Sequence, residues 1–396
     1  MRIDNLNKNY YMALKNNFKG TSNTNTIEIQ GTQTKAKVYT SNLDDRTYNQ
    51  IKTICSHPVF KDIPIRIMPD VHAGKTVPVG FTAPIGTKGE IIPSLISGDI
   101  GCGMLCCEID TKGEDIDFKK LDSVIRTYIG SSHSKIPLSK KENIKSIEKD
   151  IKTTSSDKLK ISFDKMIAGL GTLGSGNHFI EIDSSKDGRH YLIIHTGSRG
   201  FGQAIYNYHQ NKAFKQNPYK IETLSYLTSD EAKEYMEDMK LAQKYAEINR
   251  RIIADEIIKQ MDWKEVSNFE SIHNYIADDN IIRKGAISSY NGQKILIPLN
   301  MRDGALIASG KGNSDWNNSA PHGAGRKLSR SEAQEKINLN EYEKSMKGIY
   351  TTCVSDSTID ESPMAYKNSD TIKANIASTA DIIENIKPQY NFKNEN

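Results

Sequence analysis

The chain has 396 residues, 37% of them hydrophobic and 26% charged, which allows a sizeable buried core and excludes global disorder. Its net charge of +4 permits a nucleic-acid partner without arguing for one, and no apolar run is long enough for a membrane-spanning helix. Residues 1–20 lack the apolar stretch and cleavage site of a secretory leader. The five cysteines (Cys55, Cys102, Cys106, Cys107, Cys353) follow no paired spacing, so a cytoplasmic protein is expected.

There is no internal repeat and no low-complexity linker. Short strands are predicted at 26–30 and 35–39, a helix at 45–55, and an apolar strand at 63–68 that ends in Pro69-Asp70-Val71-His72-Ala73-Gly74. Two apolar runs, 91–96 and 104–109, read as buried strands. They flank Ser97-Gly98-Asp99-Ile100-Gly101-Cys102-Gly103-Met104. That turn presents a carboxylate and a thiol together. It reads equally as a metal site and as a glycine-rich hairpin with Asp99 capping its own backbone and Cys102 in the core. A helix follows at 117–128. Residues 131–159 are rich in Lys, Ser and Asp and are expected to form an exposed excursion. Its lysines (Lys135, Lys140, Lys141, Lys145, Lys149, Lys152) fit contact with RNA, and more commonly a solvated face.

A glycine-rich loop at 169–176 feeds a strand at 177–182 carrying Asn177, His178 and Glu181. The next strand, 191–194, ends in His195-Thr196-Gly197-Ser198-Arg199-Gly200, with a helix soon after. Thr228-Ser-Asp-Glu231 reads as a capping box for a long helix to Met261, whose stripe of Leu241, Tyr245, Ile248, Ile252 and Ile257 is core packing. Strands are predicted at 269–275 (with His273-Asn274), 295–299 and 305–308. A polar loop at 309–320 leads into Pro321-His322-Gly323-Ala324-Gly325-Arg326. Ser329-Arg-Ser-Glu332 is a second capping box, and the last helix is placed near 371–386. Strands dominate the motif-bearing parts, so the fold class is α+β rather than doubly wound.

Of nine histidines, His178, His195, His273 and His322 share one local style, each at a strand end beside Gly, Asn or Ser. One such histidine is most often structural. Four, with Asp99 and Cys102, form a plausible ligand set for one or two divalent ions assembled from distant strands. Glycine-rich segments at 169–176, 197–200 and 323–325 suit phosphate, which points to a nucleotide or phosphorylated substrate. His322 has the setting for a nucleophile that forms a phosphoramidate. A further metal ligand and a structural residue are the other readings of it.

The segments MPDVHAGK, SGDIGCGM, GLGTLGSGNHFIEI, IIHTGSRG, IHNYI and APHGAGRKLSR, in this order, closely resemble the RtcB family of RNA-splicing ligases. The resemblance runs from about Met68 to Ser362-Pro363-Met364-Ala365-Tyr366-Lys367. It implies one RtcB-like catalytic domain over 1–396, with a β-sheet core surrounded by helices. It implies a ligase dependent on GTP and Mn²⁺ that joins RNA 2′,3′-cyclic phosphate or 3′-phosphate ends to 5′-hydroxyl ends, in RNA repair or tRNA splicing, with an archease-type activator as a possible partner. By the same motifs His322 becomes guanylylated, Asp70 orients it, and Asp99, Cys102, His178, His195 and His273 hold two manganese ions. Asn177, Glu181, Ser309, Gly323, Gly325, Arg326 and Lys393 join His322 as nucleotide contacts. Glu181 and Lys393 meet the guanine. The family's GSMG segment is expected at Ala308-Ser309-Gly310-Lys311-Gly312. Two other readings use the same residues: a metal-dependent phosphoesterase on RNA ends, and a non-catalytic RNA-end binder.

Overall fold

In a computed structural model of the chain, the described residues are 26–130 and 142–394. Their strands are β1 (Ile27–Gln30), β2 (Lys35–Val38), β3 (Ile65–His72), β4 (Val79–Pro84), β5 (Gly103–Asp110), β6 (Phe179–Ser184), β7 (His190–Thr196), β8 (Lys264–Ile272), β9 (Asn274–Ile276), β10 (Ile281–Lys284), β11 (Ala286–Ser288), β12 (Lys294–Asn300), β13 (Gly304–Gly310), β14 (Ser319–Pro321) and β15 (Ala380–Phe392). Six of them form one sheet in the order β1-β2-β3-β4-β10-β9. Seven form a second, β12-β13-β15-β6-β7-β5-β8, and β11 pairs with β14. All pairings are antiparallel except β2 with β3, which fits an α+β class.

The helices are α1 (Asp45–Cys55), α2 (Phe118–Tyr128), α3 (Glu148–Thr153), α4 (Phe163–Ala168), α5 (Arg199–Gln216), α6 (Ser229–Met261), α7 (Arg330–Lys336), α8 (Leu339–Ser345) and α9 (Ser369–Asn375). None is long and apolar enough to cross a membrane among the described residues.

In the seven-stranded sheet, β5, β6 and β7 are buried on both faces. Side chains alternate along each strand, so Leu105, Cys107, Ile180, Ile182, Leu192 and Ile194 point one way. They share the main core with Tyr245, Ile252 and Ile253 of α6. Met104, Cys106, Phe179, Tyr191 and Ile193 point the other way and meet Leu296 and Ile307 from β12 and β13. The two edge strands of this sheet also meet: Leu296 N–H on β12 donates to Ser271 Oγ on β8 (2.9 Å). The sheet therefore curls around its second apolar layer, and one end of that layer opens on the site described below.

Several sequence expectations change. The run 91–96 is buried as predicted but is no strand. Pro93 starts a 3₁₀ turn over Pro93–Leu95, and its missing N–H suits a turn start rather than a ladder. The predicted strand 269–275 is broken at His273, which lies between β8 and β9. Thr228 does precede α6, but its side chain makes no capping bond, whereas Ser329 and Glu332 form a complete box at α7. The helix placed at 371–386 is only α9, followed by the 13-residue strand β15. Within the expected excursion, 131–141 lie outside the described residues. Ile144, Ile147 and Ile151 are buried in the main core, and Lys158 is tied to Asp238 on α6 (2.8 Å). Lys135, Lys140 and Lys141 fall outside the described residues as well.

Candidate active site

Tight backbone placement comes first. β5 pairs on one side with β7, Met104 opposite His195, and on the other with β8, Gly103 opposite Ile272. That register brings the turn before β5, the end of β7 and the break after β8 to one end of the sheet. Arg250, fully buried on α6, locks them together. Its Nη1 donates to the carbonyls of Gly101 and Thr196 (2.9 Å each), and its Nε donates to Glu270 on β8 (2.9 Å). A side chain at Gly197 would push the Asp99 carboxylate out of place.

The result is a chain of imidazoles. Ring centroids are 5.2 Å apart for His178–His195, 5.2 Å for His195–His273 and 5.0 Å for His273–His322. Cys102 Sγ lies 3.3 Å from His195 Nε2 and 3.5 Å from His178 Nε2, and His195 Nε2 lies 3.4 Å from His273 Nε2. The donor atoms of Cys102, His178 and His195 all fall within 4.8 Å of one another, a group that could hold a metal ion. Burial, then neighbouring imidazoles, hold His195 and His273 well below the ordinary histidine range, so both rings are neutral. Burial, then the Asp99 charge, pushes the Cys102 thiol up.

The tautomers can be read from the partners. His195 Nδ1–H donates to the carbonyl of Asn177 (3.0 Å), which leaves the Nε2 lone pair aimed at Cys102, as a ligand requires. His178 is set the other way. Arg199 Nη1, which can only donate, meets His178 Nδ1 (3.1 Å), so His178 Nε2 carries the hydrogen and faces Asp99 Oδ2 (3.4 Å). Ligation through His178 Nε2 therefore requires Arg199 to release that ring.

Beside the cluster lies a cavity of about 910 Å³ whose wall includes Asn177, Glu181, His195, His322, Gly323, Gly325, Arg326 and Lys393. His322 is fixed by Asp70, a fully buried residue. Asp70 Oδ2 accepts from His322 Nδ1 (2.7 Å) and from the backbone N–H groups of His322 (3.1 Å) and Gly323 (3.2 Å). A carboxylate on Nδ1 leaves Nε2 as the free lone pair. Lys367 brackets Asp70 from behind, donating to the carbonyls of Val71 (2.6 Å) and Pro69 (3.3 Å). On the far wall a buried carboxylate, Glu361, gathers Arg330 (2.7 Å), Arg326 (3.2 Å), Lys393 (3.4 Å) and the Tyr366 hydroxyl (2.5 Å). Lys393 also points at the Asn177 carbonyl (3.5 Å) and lies over the Phe179 ring. Glu181 accepts from Asn391 (2.5 Å). Burial raises it to about 7 against the hydrogen bonds from Asp183 and Asn391 and the charge of Lys393.

Of the residues predicted as nucleotide contacts, Ser309 is not brought to the cavity. It sits near the far end of β13, opposite Lys294, whereas the turn that does line the cavity begins at Pro298, opposite Ala305 at the near end. That turn is Pro298-Leu299-Asn300-Met301. The expectation for 308–312 followed the glycines. Asp44, Asp45 and Arg46 at the start of α1 also line the cavity and carried no motif.

Fold and site thus define an α+β protein with a metal-competent Cys/His cluster next to a cation-lined cavity and a carboxylate-held histidine. Comparison with known proteins names the family. The sequence profile of the family described as tRNA-splicing ligase RtcB matches residues 50–394, and the chain belongs to that family. The RNA-splicing ligase RtcB of Escherichia coli K12 is 30% identical over 368 residues, covering 82% of this chain and 88% of that protein. The tRNA-splicing ligases RtcB of Aeropyrum pernix and Methanococcus maripaludis are 28% and 27% identical, covering 77% and 83% of this chain and 82% and 86% of their own.

Proposed function

We propose that the chain is a GTP- and Mn²⁺-dependent RNA ligase, joining 3′-phosphate or 2′,3′-cyclic phosphate ends to 5′-hydroxyl ends in RNA repair or tRNA splicing. The observation that carries this is His322: its Nδ1 is held on Asp70 2.7 Å away, and it sits in the cavity wall beside His273 and the Cys102 cluster.

In this reading His322 Nε2 attacks the α-phosphorus of GTP, the bond to the β-phosphate oxygen breaks, and pyrophosphate leaves. Asp70 keeps the Nδ1 proton in place and stabilises the positive charge that develops on the ring. An oxygen of the RNA 3′-phosphate then displaces His322, giving RNA capped by a pyrophosphate link to guanosine. The 5′-hydroxyl of the second RNA attacks the RNA-side phosphorus, loses its proton and expels GMP. Asp99, Cys102, His178, His195 and His273 would hold two manganese ions, which when bound offset phosphate charge. Asn177, Gly323, Gly325 and Arg326 would take phosphate oxygens, and Glu181 and Lys393 the guanine edge.

Incubation with α-³²P GTP and Mn²⁺ tests the reading. Acid-labile label on the wild type that is absent from His322→Ala is the expected result. No label on the wild type across divalent metals would overturn it. Adding an archease-type protein to the same reaction shows whether the chain turns over unaided.

A further inference from the structure

Among the described residues, Asp183 is the one fully buried acidic residue in the apolar layer between the sheet and its curled edge. It lies two residues from Glu181 on β6, hence on the same face, and shares that face with Phe179. The strand neighbours of Asp183 are uncharged. Tyr191 stands opposite it on β7, and Cys106 on β5, whose thiol is pushed up by burial and then by Cys107, lies close enough to feel its charge. On β15 it is paired with Pro388, which has no N–H to offer. Neither carboxyl oxygen of Asp183 meets a donor. The nearby cations are engaged elsewhere: Lys387 donates to the Asp303 carbonyl (3.1 Å) and Lys393 faces Glu361. The polar group that Asp183 does meet is the carboxyl of Glu181.

Two carboxylates in contact in an apolar layer cannot both stay charged. Glu181 has Asn391 as a donor and Lys393 as a nearby charge. Asp183 has no donor, and the one charge near it, Lys387, is tied to the Asp303 carbonyl, so the proton belongs on Asp183. We propose that Asp183 is a positioning residue that keeps its proton and donates it to Glu181, holding Glu181 as the charged acceptor in the cavity wall. A neutral donor behind the acceptor lets a buried glutamate remain ionised where it meets N–H groups of a ligand. The geometry also explains why Asp183 itself does not reach the cavity.

Difference infrared spectroscopy of the nucleotide-free protein at about pH 8 tests the proton directly. The wild type minus Asp183→Asn should show the carbonyl stretch of one protonated carboxyl. No such band would overturn the proposal. The second measurement rests on the guanine reading of Glu181. Asp183→Leu removes the donor and should bind GTP about fivefold more weakly at pH 7 for a one-unit rise of Glu181, recovering as the pH is raised. Asp183→Asn keeps a donor and should stay close to the wild type. Equal affinity and equal pH profile for wild type and Asp183→Leu would overturn the proposal. If the infrared band is present and no form binds GTP at any pH, the proton-sharing pair stands and the guanine reading falls. The Asp183→Asn spectrum decides the matter even if Asp183→Leu does not fold.

Discussion

At the scale of single residues, the site turns on which atom donates to which. Asp70 Oδ2 takes three N–H groups while Asp70 Oδ1 has no partner, so the pairing with His322 is specific to one oxygen. Asp70→Asn would present either an amide N–H to a ring N–H or a weaker, uncharged acceptor. We expect guanylylation to fall by about 100-fold or more with the fold retained, read as the rate of label incorporation beside an unchanged circular dichroism spectrum. Retained wild-type labelling would remove Asp70 from the chemistry. The residue types were legible in the sequence: His178, His195, His273 and Cys102 do converge. The hydrogen-bond partners were not, because the Asn177 carbonyl, Arg199 and Glu361 reach the site from other elements and no spacing along the chain encodes that.

At the scale of elements, most strands and helices follow from periodicity and caps, and the failures share a cause. The stretch 380–392 contains Ile382, Ile383 and Ile386 at spacings that suit a helix, yet it is the central strand β15, because pairing partners on both sides decide it. Locally encoded features survived, such as the box at Ser329 and Glu332. The loop carrying His322 shows how elements constrain one another. Gly325 has φ +74°, and a side chain there would run into the backbone of Asp70. Gly325→Ala should destabilise by about 1–3 kcal/mol and slow labelling. Gly89→Ala, with φ +78° but open space around it, should show the backbone cost alone and label normally. Urea melts and label incorporation check both. Arg250 has the same role for the metal-competent end. Arg250→Met strands Glu270 and two carbonyls, and we expect a loss of about 3 kcal/mol in urea unfolding.

At the scale of the whole molecule, the cavity is a meeting point of distant sequence. Its wall runs from Asp44 to Lys393, and the contact that holds His322 on Asp70 joins residues 252 positions apart. Such a site is built from non-local pairings, which form late and slowly. The placement of β15 carries this furthest. It lies between β13 and β6, in the middle of the seven-stranded sheet. Until residues 380–392 leave the ribosome, β12 and β13 form one ribbon and β6, β7, β5 and β8 another, with unpaired edges facing each other across an empty slot. Between the completion of β13 at Gly310 and the start of β15 at Ala380 the growing chain therefore exposes two complementary sheet edges, a window in which a holdase chaperone or a strand from another nascent copy can occupy the slot that β15 will fill.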